Sequence, residues 1–167
     1  MLTSILQTPF KTGFSMNRKV FGFIRKQGAY FPLMCSIAGY TKSDHDYEKL
    51  LDSGLWTDEV LRFGKFHGHD FRSDGWDGYH RRESGSGFAS HVEAKLILWY
   101  SCHLLSKSIG KVLPIKKQVA FLPRLCNMNN NYEAEVLISR PACSNCEAFR
   151  VLMEEGKYIF HLSASND

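Results

Sequence analysis

Residues 88–106 read F-A-S-H-V-E-A-K-L-I-L-W-Y-S-C-H-L-L-S, and residues 139–155 read S-R-P-A-C-S-N-C-E-A-F-R-V-L-M-E-E. The first stretch predicts a buried helix over 91–106, because its apolar residues are dense and Ser90 is placed to cap its N-terminus. The second predicts a helix over 143–155 that ends before Gly156. Both predicted helices begin with side chains that bind metals or carry protons.

The flanking segments add strands to these two helices. Strands are predicted over 27–40, 118–122, 134–139 and 158–162, and residues 44–63 read as short helical pieces broken at Ser53 and Gly54. The second half therefore alternates helix and strand, which is typical of a sheet covered by helices, the α/β class. At 167 residues the chain fits one domain, and no apolar run approaches the length of a membrane span.

Three side chains at the predicted helix starts form a candidate zinc site. His91 opens the first helix, and Cys143 and Cys146 lie three residues apart in the first turn of the second, so both thiolates can reach one ion. One imidazole and two thiolates leave the fourth tetrahedral position of zinc for water, as in catalytic sites. Glu93 is the candidate proton carrier, because a carboxylate that does not bind the metal can move the proton of an activated water.

These residues resemble a known family signature. The pair H-x-E and P-x-C-x-x-C is similar to the motif of the zinc-dependent cytidine-deaminase-like superfamily, although Ala142 separates Pro141 from Cys143. This insertion, and the position of Cys143 fifty-two residues after His91, resemble the toxin-type and fungal DNA cytosine deaminases. The resemblance covers roughly residues 88–162.

The resemblance implies a fold, a cofactor and an activity. The fold is a three-layer α/β/α domain over residues 1–167 with a mixed central sheet of about five strands. Residues 1–87 would supply N-terminal helices or strands and a substrate loop. The resemblance implies that Zn²⁺ is held by His91, Cys143 and Cys146 and that Glu93 is the general acid and base. The implied activity is hydrolytic deamination of cytosine to uracil with release of ammonia.

Each of these assignments has an alternative. Cys143 and Cys146 fit a closed structural zinc site whose fourth ligand comes from His67, His69 or Cys126. Glu93 fits a first-turn acid that only complements the helix dipole.

Residues 71–88, F-R-S-D-G-W-D-G-Y-H-R-R-E-S-G-S-G-F, form an aromatic loop that runs directly into His91. A single-stranded or flipped-out nucleotide is bound by rings that stack on its base and by guanidinium groups that contact phosphate. We therefore interpret the aromatic loop as a substrate-binding segment. The alternative is a packed loop in which Trp76 belongs to the core and the arginines pair with Asp74, Asp77 and Glu83. The substrate-binding candidates in this loop and beside the ligands are Arg72, Trp76, Tyr79, Arg81, Arg82, Phe88, Ala89, Pro141 and Ala142.

Charge and cysteine content limit the partners and the compartment. The formal net charge is +4, and residues 1–43 hold six Lys or Arg and no carboxylate, as expected for a phosphate-facing surface or for an ordinary solvated face. Five cysteines at irregular spacing argue against a disulfide framework and for a reducing compartment, cytoplasm or nucleus.

The expected partner is nucleic acid, with single-stranded DNA preferred over duplex DNA or RNA. We expect a monomer that does not associate with membranes. A free-nucleoside deaminase and a non-catalytic, zinc-stabilised nucleic-acid-binding module are the alternatives.

Overall fold

The computed structural model describes residues 19–40, 48–122, 132–155 and 158–164. These residues form four strands and six helices in a mixed α/β fold. The strands are β1 (Phe21–Lys26), β2 (Met34–Ile37), β3 (Tyr132–Ile138) and β4 (Tyr158–Ala164). The helices are α1 (Ser53–Phe66), α2 (Gly75–Tyr79), α3 (Ser86–Ala89), α4 (Val92–Ile109), α5 (Ile115–Phe121) and α6 (Ser144–Glu154).

The four strands form one mixed sheet in the order β2-β1-β3-β4. Strand β1 is antiparallel to β2 and β3, whereas β3 and β4 run parallel. In the β1–β3 register Ile24 lies opposite Val136, and both side chains are fully buried. The α/β class is therefore confirmed, whereas the predicted count of about five strands is not, because the described residues contain four.

Helix α4 packs against the sheet so closely that one position of β1 requires glycine. A Cβ atom on Gly22 would lie 2.4 Å from the carbonyl oxygen of Leu137 and 3.0 Å from Val92 Cγ1. Without a Cβ atom, the first turn of α4 and strand β3 can both approach β1 at this point. The contact fixes the N-terminus of α4, where His91 and Glu93 lie.

A buried lysine joins three elements near the same end of α4. Lys95 is fully buried, and its Nζ donates hydrogen bonds to the carbonyl oxygen of Ile37 and to Ser53 Oγ, each at 2.6 Å. These bonds connect the end of β2 and the start of α1 to α4. Burial lowers the pKa of Lys95 from its ordinary value of 10.5 to about 7.

The structure corrects two strand predictions. Residues 118–122 belong to a helical segment, because α5 packs against α4 and buries Val119. The tract 27–40 is not one strand: it begins with a turn in which Gly28 has a φ of 72°, and only β2 is extended. Strand β1, which precedes that turn, was not predicted.

Helix starts were also misplaced in two cases. The break predicted inside 44–63 is the beginning of α1, which starts at Ser53 after the N-cap Asp52. Helix α4 is capped by His91 rather than Ser90, and Ser90 Oγ instead donates a hydrogen bond to the carbonyl oxygen of Gly87 at 2.7 Å. The predicted helices over 91–106 and 143–155 are otherwise confirmed, as are the strands at 134–139 and 158–162. None of the helices in the described part of the chain has the length and apolar character that crossing a bilayer requires.

Candidate active site

The structure brings the three predicted metal ligands together. His91 is the N-cap of α4, Cys143 is the N-cap of α6, and Cys146 lies in the first turn of α6. His91 Nδ1 is 3.5 Å from Cys143 Sγ and 3.5 Å from Cys146 Sγ. All three ligand atoms lie within 4.8 Å of one another. Two helix N-termini thus present one nitrogen and two sulfurs to a common point.

The spacing of these atoms fits a zinc ion. Zinc binds thiolate sulfur at about 2.3 Å and imidazole nitrogen at about 2.0–2.1 Å, and tetrahedral angles then separate the nitrogen and sulfur ligands by about 3.6 Å. The two observed nitrogen–sulfur distances are both 3.5 Å. Within the described residues, this group contains no fourth His, Cys, Asp or Glu. A three-ligand set of this kind is typical of catalytic zinc sites, which keep one position open.

The histidines that were candidates for a closed zinc site lie elsewhere. The His67 ring packs against Phe63, with ring centroids 4.3 Å apart, and the His69 ring packs against Phe71 at 4.5 Å. Neither histidine belongs to the ligand group, so neither completes a closed site. Cys126, the other candidate, lies outside the described residues.

Hydrogen bonds among the ligands set their protonation. The hydrogen bond from the Cys146 thiol, together with one to His91, lowers the pKa of Cys143. The same bond to Cys143, reinforced by burial, raises the pKa of Cys146. A hydrogen bond to Cys143 also raises the pKa of His91. At neutral pH the cluster therefore contains a thiolate and protons that the ligands share. A divalent cation would displace those protons on binding.

Glu93 lies beside the ligand group without belonging to it. Its side chain is 3% exposed in the first turn of α4. Its Oε2 is buried and has no hydrogen-bond partner among the described residues. Burial raises the pKa of Glu93, so this carboxyl group accepts and releases a proton closer to neutral pH than an exposed one does. The arrangement suits proton transfer to and from a group at the metal position.

A comparison with known families found a matching family model. The family model described as Single-strand DNA deaminase toxin A, C-terminal, matches residues 35–97. The chain is similar to a deaminase toxin family. This match confirms the resemblance to the cytidine-deaminase-like superfamily that the two motifs predicted. Among curated proteins and among solved structures, none matches the chain.

The matched residues extend the resemblance toward the N-terminus. The signature in the sequence covered roughly residues 88–162, whereas the family model begins at residue 35 and includes the whole aromatic loop. It also includes His91 and Glu93 but ends before Cys143 and Cys146. The two cysteines are therefore placed in the site by the three-dimensional structure rather than by the family match.

The aromatic loop contains two short helices and an exposed aromatic surface. Tyr79 is 84% exposed, and the Trp76 ring packs against His80 with centroids 4.6 Å apart. Arg81 is exposed and has a φ of 51°, a left-handed conformation that residues other than glycine seldom adopt. Two short helices thus give the loop regular structure, and Tyr79 and Arg81, both proposed to contact substrate, are exposed on it.

The remaining substrate-binding candidates lie closer to the ligands. The Phe88 ring is 5.4 Å from the His91 ring, measured between centroids. Ala89 is fully buried in the hydrophobic core, so its methyl group is not exposed at the surface of the site. Pro141 is exposed and Ala142 is half-buried against the core, immediately before Cys143.

Arg82 and Arg72, two of the predicted phosphate contacts, interact with other parts of the fold, Arg82 through its guanidinium and Arg72 through its backbone. The Arg82 guanidinium lies over the ring of Tyr40 at 3.5 Å, and the Tyr40 hydroxyl donates a hydrogen bond to Asp58 at 2.8 Å. The Arg72 backbone N–H donates to Asn145 Oδ1 at 3.3 Å. In the packed-loop alternative, Glu83 was expected to pair with an arginine, but it pairs with a lysine of α1 instead.

Sequence reasoning missed both partner residues, Tyr40 and Asn145. Asn145 is buried between the two cysteines of C-S-N-C, and it joins the start of the aromatic loop to the ligand-bearing turn of α6. Its position inside a metal-binding motif was the available signal. For Tyr40 there was none, because its partner Arg82 is forty-two residues away in the chain.

Proposed function

We propose that the protein is a zinc-dependent deaminase that converts cytosine to uracil in nucleic acid, with single-stranded DNA as its preferred substrate. The observation that carries this proposal is the convergence of His91, Cys143 and Cys146, with the buried, unpaired carboxylate oxygen of Glu93 beside them. Support for deamination comes from the family match, and support for single-stranded DNA comes from the name of that family.

The chain's residues divide the chemistry between metal binding and proton transfer. His91, Cys143 and Cys146 would hold the zinc ion, which when bound supplies an activated water by lowering the pKa of that water to about 7. Glu93 Oε2 takes a proton from the water and delivers it to the ring nitrogen of cytosine, and then assists the departure of the amino group as ammonia. One water is consumed, and uracil and ammonia are the products.

The exposed aromatic loop supports a polymeric substrate. Enzymes that modify a base act on single strands or extrude the base from the duplex, because the reacting atom is inaccessible in a stacked pair. Tyr79, which is 84% exposed beside Trp76 and Arg81, offers a ring on which a neighbouring base can stack. A free nucleoside would need no such surface. The choice of cytosine over adenine rests on the resemblance to cytosine deaminases.

We also propose a domain organisation, an oligomeric state and a compartment for the protein. We infer that residues 1–167 act as one domain and as a monomer. Cys35, Cys102, Cys143 and Cys146 all lie outside disulfides, which supports a reducing compartment such as cytoplasm or nucleus.

The decisive experiment compares substrates on the zinc-loaded protein. Purified wild-type protein and Glu93→Gln are incubated with a single-stranded DNA oligonucleotide, its duplex, the matching RNA, and free cytidine, and uracil is quantified by mass spectrometry. We expect conversion of single-stranded DNA by the wild type and none by Glu93→Gln, with equal zinc content. A matched control is Glu147→Gln, because Glu147 also lies in a first helical turn but pairs with Arg150.

The other outcomes identify the alternatives. Conversion of free cytidine but not of oligonucleotides would make the protein a nucleoside deaminase. Stoichiometric zinc with no conversion of any substrate would make it a non-catalytic zinc-stabilised module. Activity retained by Glu93→Gln would refute the assigned proton carrier.

A further inference from the structure

A buried carboxylate organises the aromatic loop from within. Asp77 is 2% exposed, although Gly75, Gly78 and Tyr79 of the same short helix are solvent-exposed. Its Oδ2 accepts the backbone N–H of Gly85 at 2.8 Å, and its Oδ1 accepts that of Gly87 at 2.6 Å. Oδ2 also accepts the N–H of Asp74 at 3.3 Å, which completes a capping box at the start of α2. Asp77 therefore joins α2 to the start of α3.

Only a carboxylate fits this position well. An ionised carboxylate accepts hydrogen bonds at both oxygens, and here both oxygens face backbone N–H groups. An asparagine would offer one acceptor and would turn an NH₂ group toward one of those donors. Because the donors are buried, an unpaired N–H would favour separation of the two halves of the loop.

Asp77 joins two halves of the aromatic loop, one that contains α2 and one that contains α3. These halves have different neighbours. The α2 half carries the exposed ring of Tyr79 and the half-buried ring of Trp76. The α3 half leads through Phe88, whose ring packs at 5.4 Å from that of His91, into the metal-binding end of α4. A second contact holds the halves together: a Cβ atom on Gly87 would lie 2.6 Å from Asp74 Oδ2, so Gly87 packs directly against the capping carboxylate.

We propose that Asp77 is a positioning residue that holds the aromatic surface of α2 at a set place relative to the ligand His91, so that a strand bound on Trp76 and Tyr79 presents a base to the site. This inference rests on the proposed function. Asp77 touches neither the substrate nor the ligands and acts through the loop. Its loss should weaken binding of single-stranded DNA while zinc binding stays intact.

The test measures binding in a protein that cannot turn over its substrate. In the Glu93→Gln background, the affinity for a fluorescein-labelled single-stranded oligonucleotide is measured by anisotropy, with and without Asp77→Asn. We expect Asp77→Asn to weaken binding about tenfold, the order of loss expected when one base–aromatic stack is removed. Asp70→Asn is the matched control, because it removes the same charge from an exposed carboxylate of the preceding segment and should leave affinity unchanged.

A double-mutant cycle separates positioning from a merely structural role. Tyr79→Ala should weaken binding when Asp77 is present, but by less than about twofold once Asp77 is replaced, because the ring is then already displaced. Hydrogen exchange gives a readout independent of substrate: the amides of Gly85 and Gly87 should exchange faster in Asp77→Asn. Gly87→Ala, which disturbs the same junction by displacing Asp74, should reproduce both effects.

Three results would overturn the proposal. The first is a folded, zinc-loaded Asp77→Asn that binds the oligonucleotide as tightly as its parent. The second is additivity of Asp77→Asn with Tyr79→Ala. The third is failure of both Asp77→Asn and Gly87→Ala to fold, which would make Asp77 a residue of the structural core. Failure of the proposed function looks different, because the parent Glu93→Gln protein would then bind no single-stranded DNA with Asp77 in place.

Discussion

The ligand cluster and the aromatic loop are adjacent in space but are built in opposite ways. The cluster joins residues fifty-two positions apart, and its geometry depends on the buried ends of α4 and α6 and on their packing against the sheet. The junction of α2 and α3 in the aromatic loop is instead held by hydrogen bonds between residues at most ten positions apart, such as Asp77 and Gly87. Changes to the cluster should therefore affect the whole molecule, whereas changes to the loop should act locally.

The largest effect is expected from removing a ligand. Cys146→Ser takes away the buried thiolate, so bound zinc should fall well below one ion per chain and deamination should drop on the order of a thousandfold or more. Zinc is measured by elemental analysis and activity on single-stranded DNA. Chelation should lower the melting temperature of the wild type but not that of Cys146→Ser.

The matched control is Cys35→Ser, which changes a half-buried cysteine of β2 outside the ligand group. It should keep its zinc and its activity. Full zinc content in Cys146→Ser would show that the metal is not held by this cluster.

Substituting one glycine near the ligand cluster and one in the aromatic loop compares how much each region contributes to the free energy of unfolding. Gly22→Ala places a methyl group 2.4 Å from the carbonyl oxygen of Leu137 and 2.9 Å from Ile138 Cγ2, so it should lower the free energy of unfolding by about 3 kcal/mol. Gly78→Ala, in α2 of the aromatic loop, meets no atom within 4 Å and should change stability by less than about 1 kcal/mol. Urea denaturation of both variants measures the difference. Equal stability of the two would contradict the close packing of β1, β3 and α4.

The same contrast explains what the sequence allowed us to predict. Helices α4 and α6 were predictable because each is an apolar run with a clear end, and the ligands were predictable because His91 and the two cysteines lie at helix starts. Strand β1 was missed because Gly22 interrupts it and because its pairing with β3 joins segments more than a hundred residues apart. Helix α5 was mistaken for a strand because seven residues are too few to separate the two periodicities.

Side-chain partners in the loop were the least predictable part of the candidate site. The residues D-G-W-D at 74–77 form a capping box that was not predicted, and nothing in the sequence indicated that the second acid would be buried against two glycine amides. The packing of Arg82 on Tyr40 depends on how α1 and β2 place Tyr40, which the local sequence does not determine. Long-range contacts of this kind follow from the fold rather than from any short pattern.

Replacing Lys95 tests how strongly the stability of the protein depends on a buried charge near the N-terminus of α4, where the ligand His91 lies. In the unfolded chain Lys95 keeps its proton up to pH 10.5, whereas in the folded protein burial lowers its pKa to about 7. Between these values the unfolded state binds more protons, so the stability of the wild type relative to Lys95→Met should rise with pH by about 1.4 kcal/mol per unit. Below pH 7 the difference should be constant, because both states are then charged.

Urea denaturation at pH 6, 7, 8 and 9 gives this difference directly. Lys95→Met keeps the length of the side chain and removes its charge, so the pH dependence of groups that do not interact with Lys95 cancels in the comparison. A difference that stays flat from pH 7 to pH 9 would show that the folded protein keeps Lys95 protonated, and that its bonds to Ile37 and Ser53 are those of an ammonium group throughout.

The smallest effect is expected within the aromatic loop, between two neighbouring arginines. Arg81 is exposed and held at a φ of 51°, whereas the Arg82 guanidinium is stacked on Tyr40. If Arg81 contacts phosphate, Arg81→Ala should reduce the slope of log affinity against log salt concentration by about 0.7, the value for one contact on a single strand. Arg82→Ala should leave that slope unchanged and lower stability by about 0.5–1 kcal/mol through loss of the cation–π contact. Oligonucleotide titrations at several salt concentrations in the Glu93→Gln background measure both slopes. An equal fall in slope for Arg82→Ala would mean that this guanidinium binds phosphate while it stacks on Tyr40. The loop would then contact the phosphates of the strand at two points rather than one.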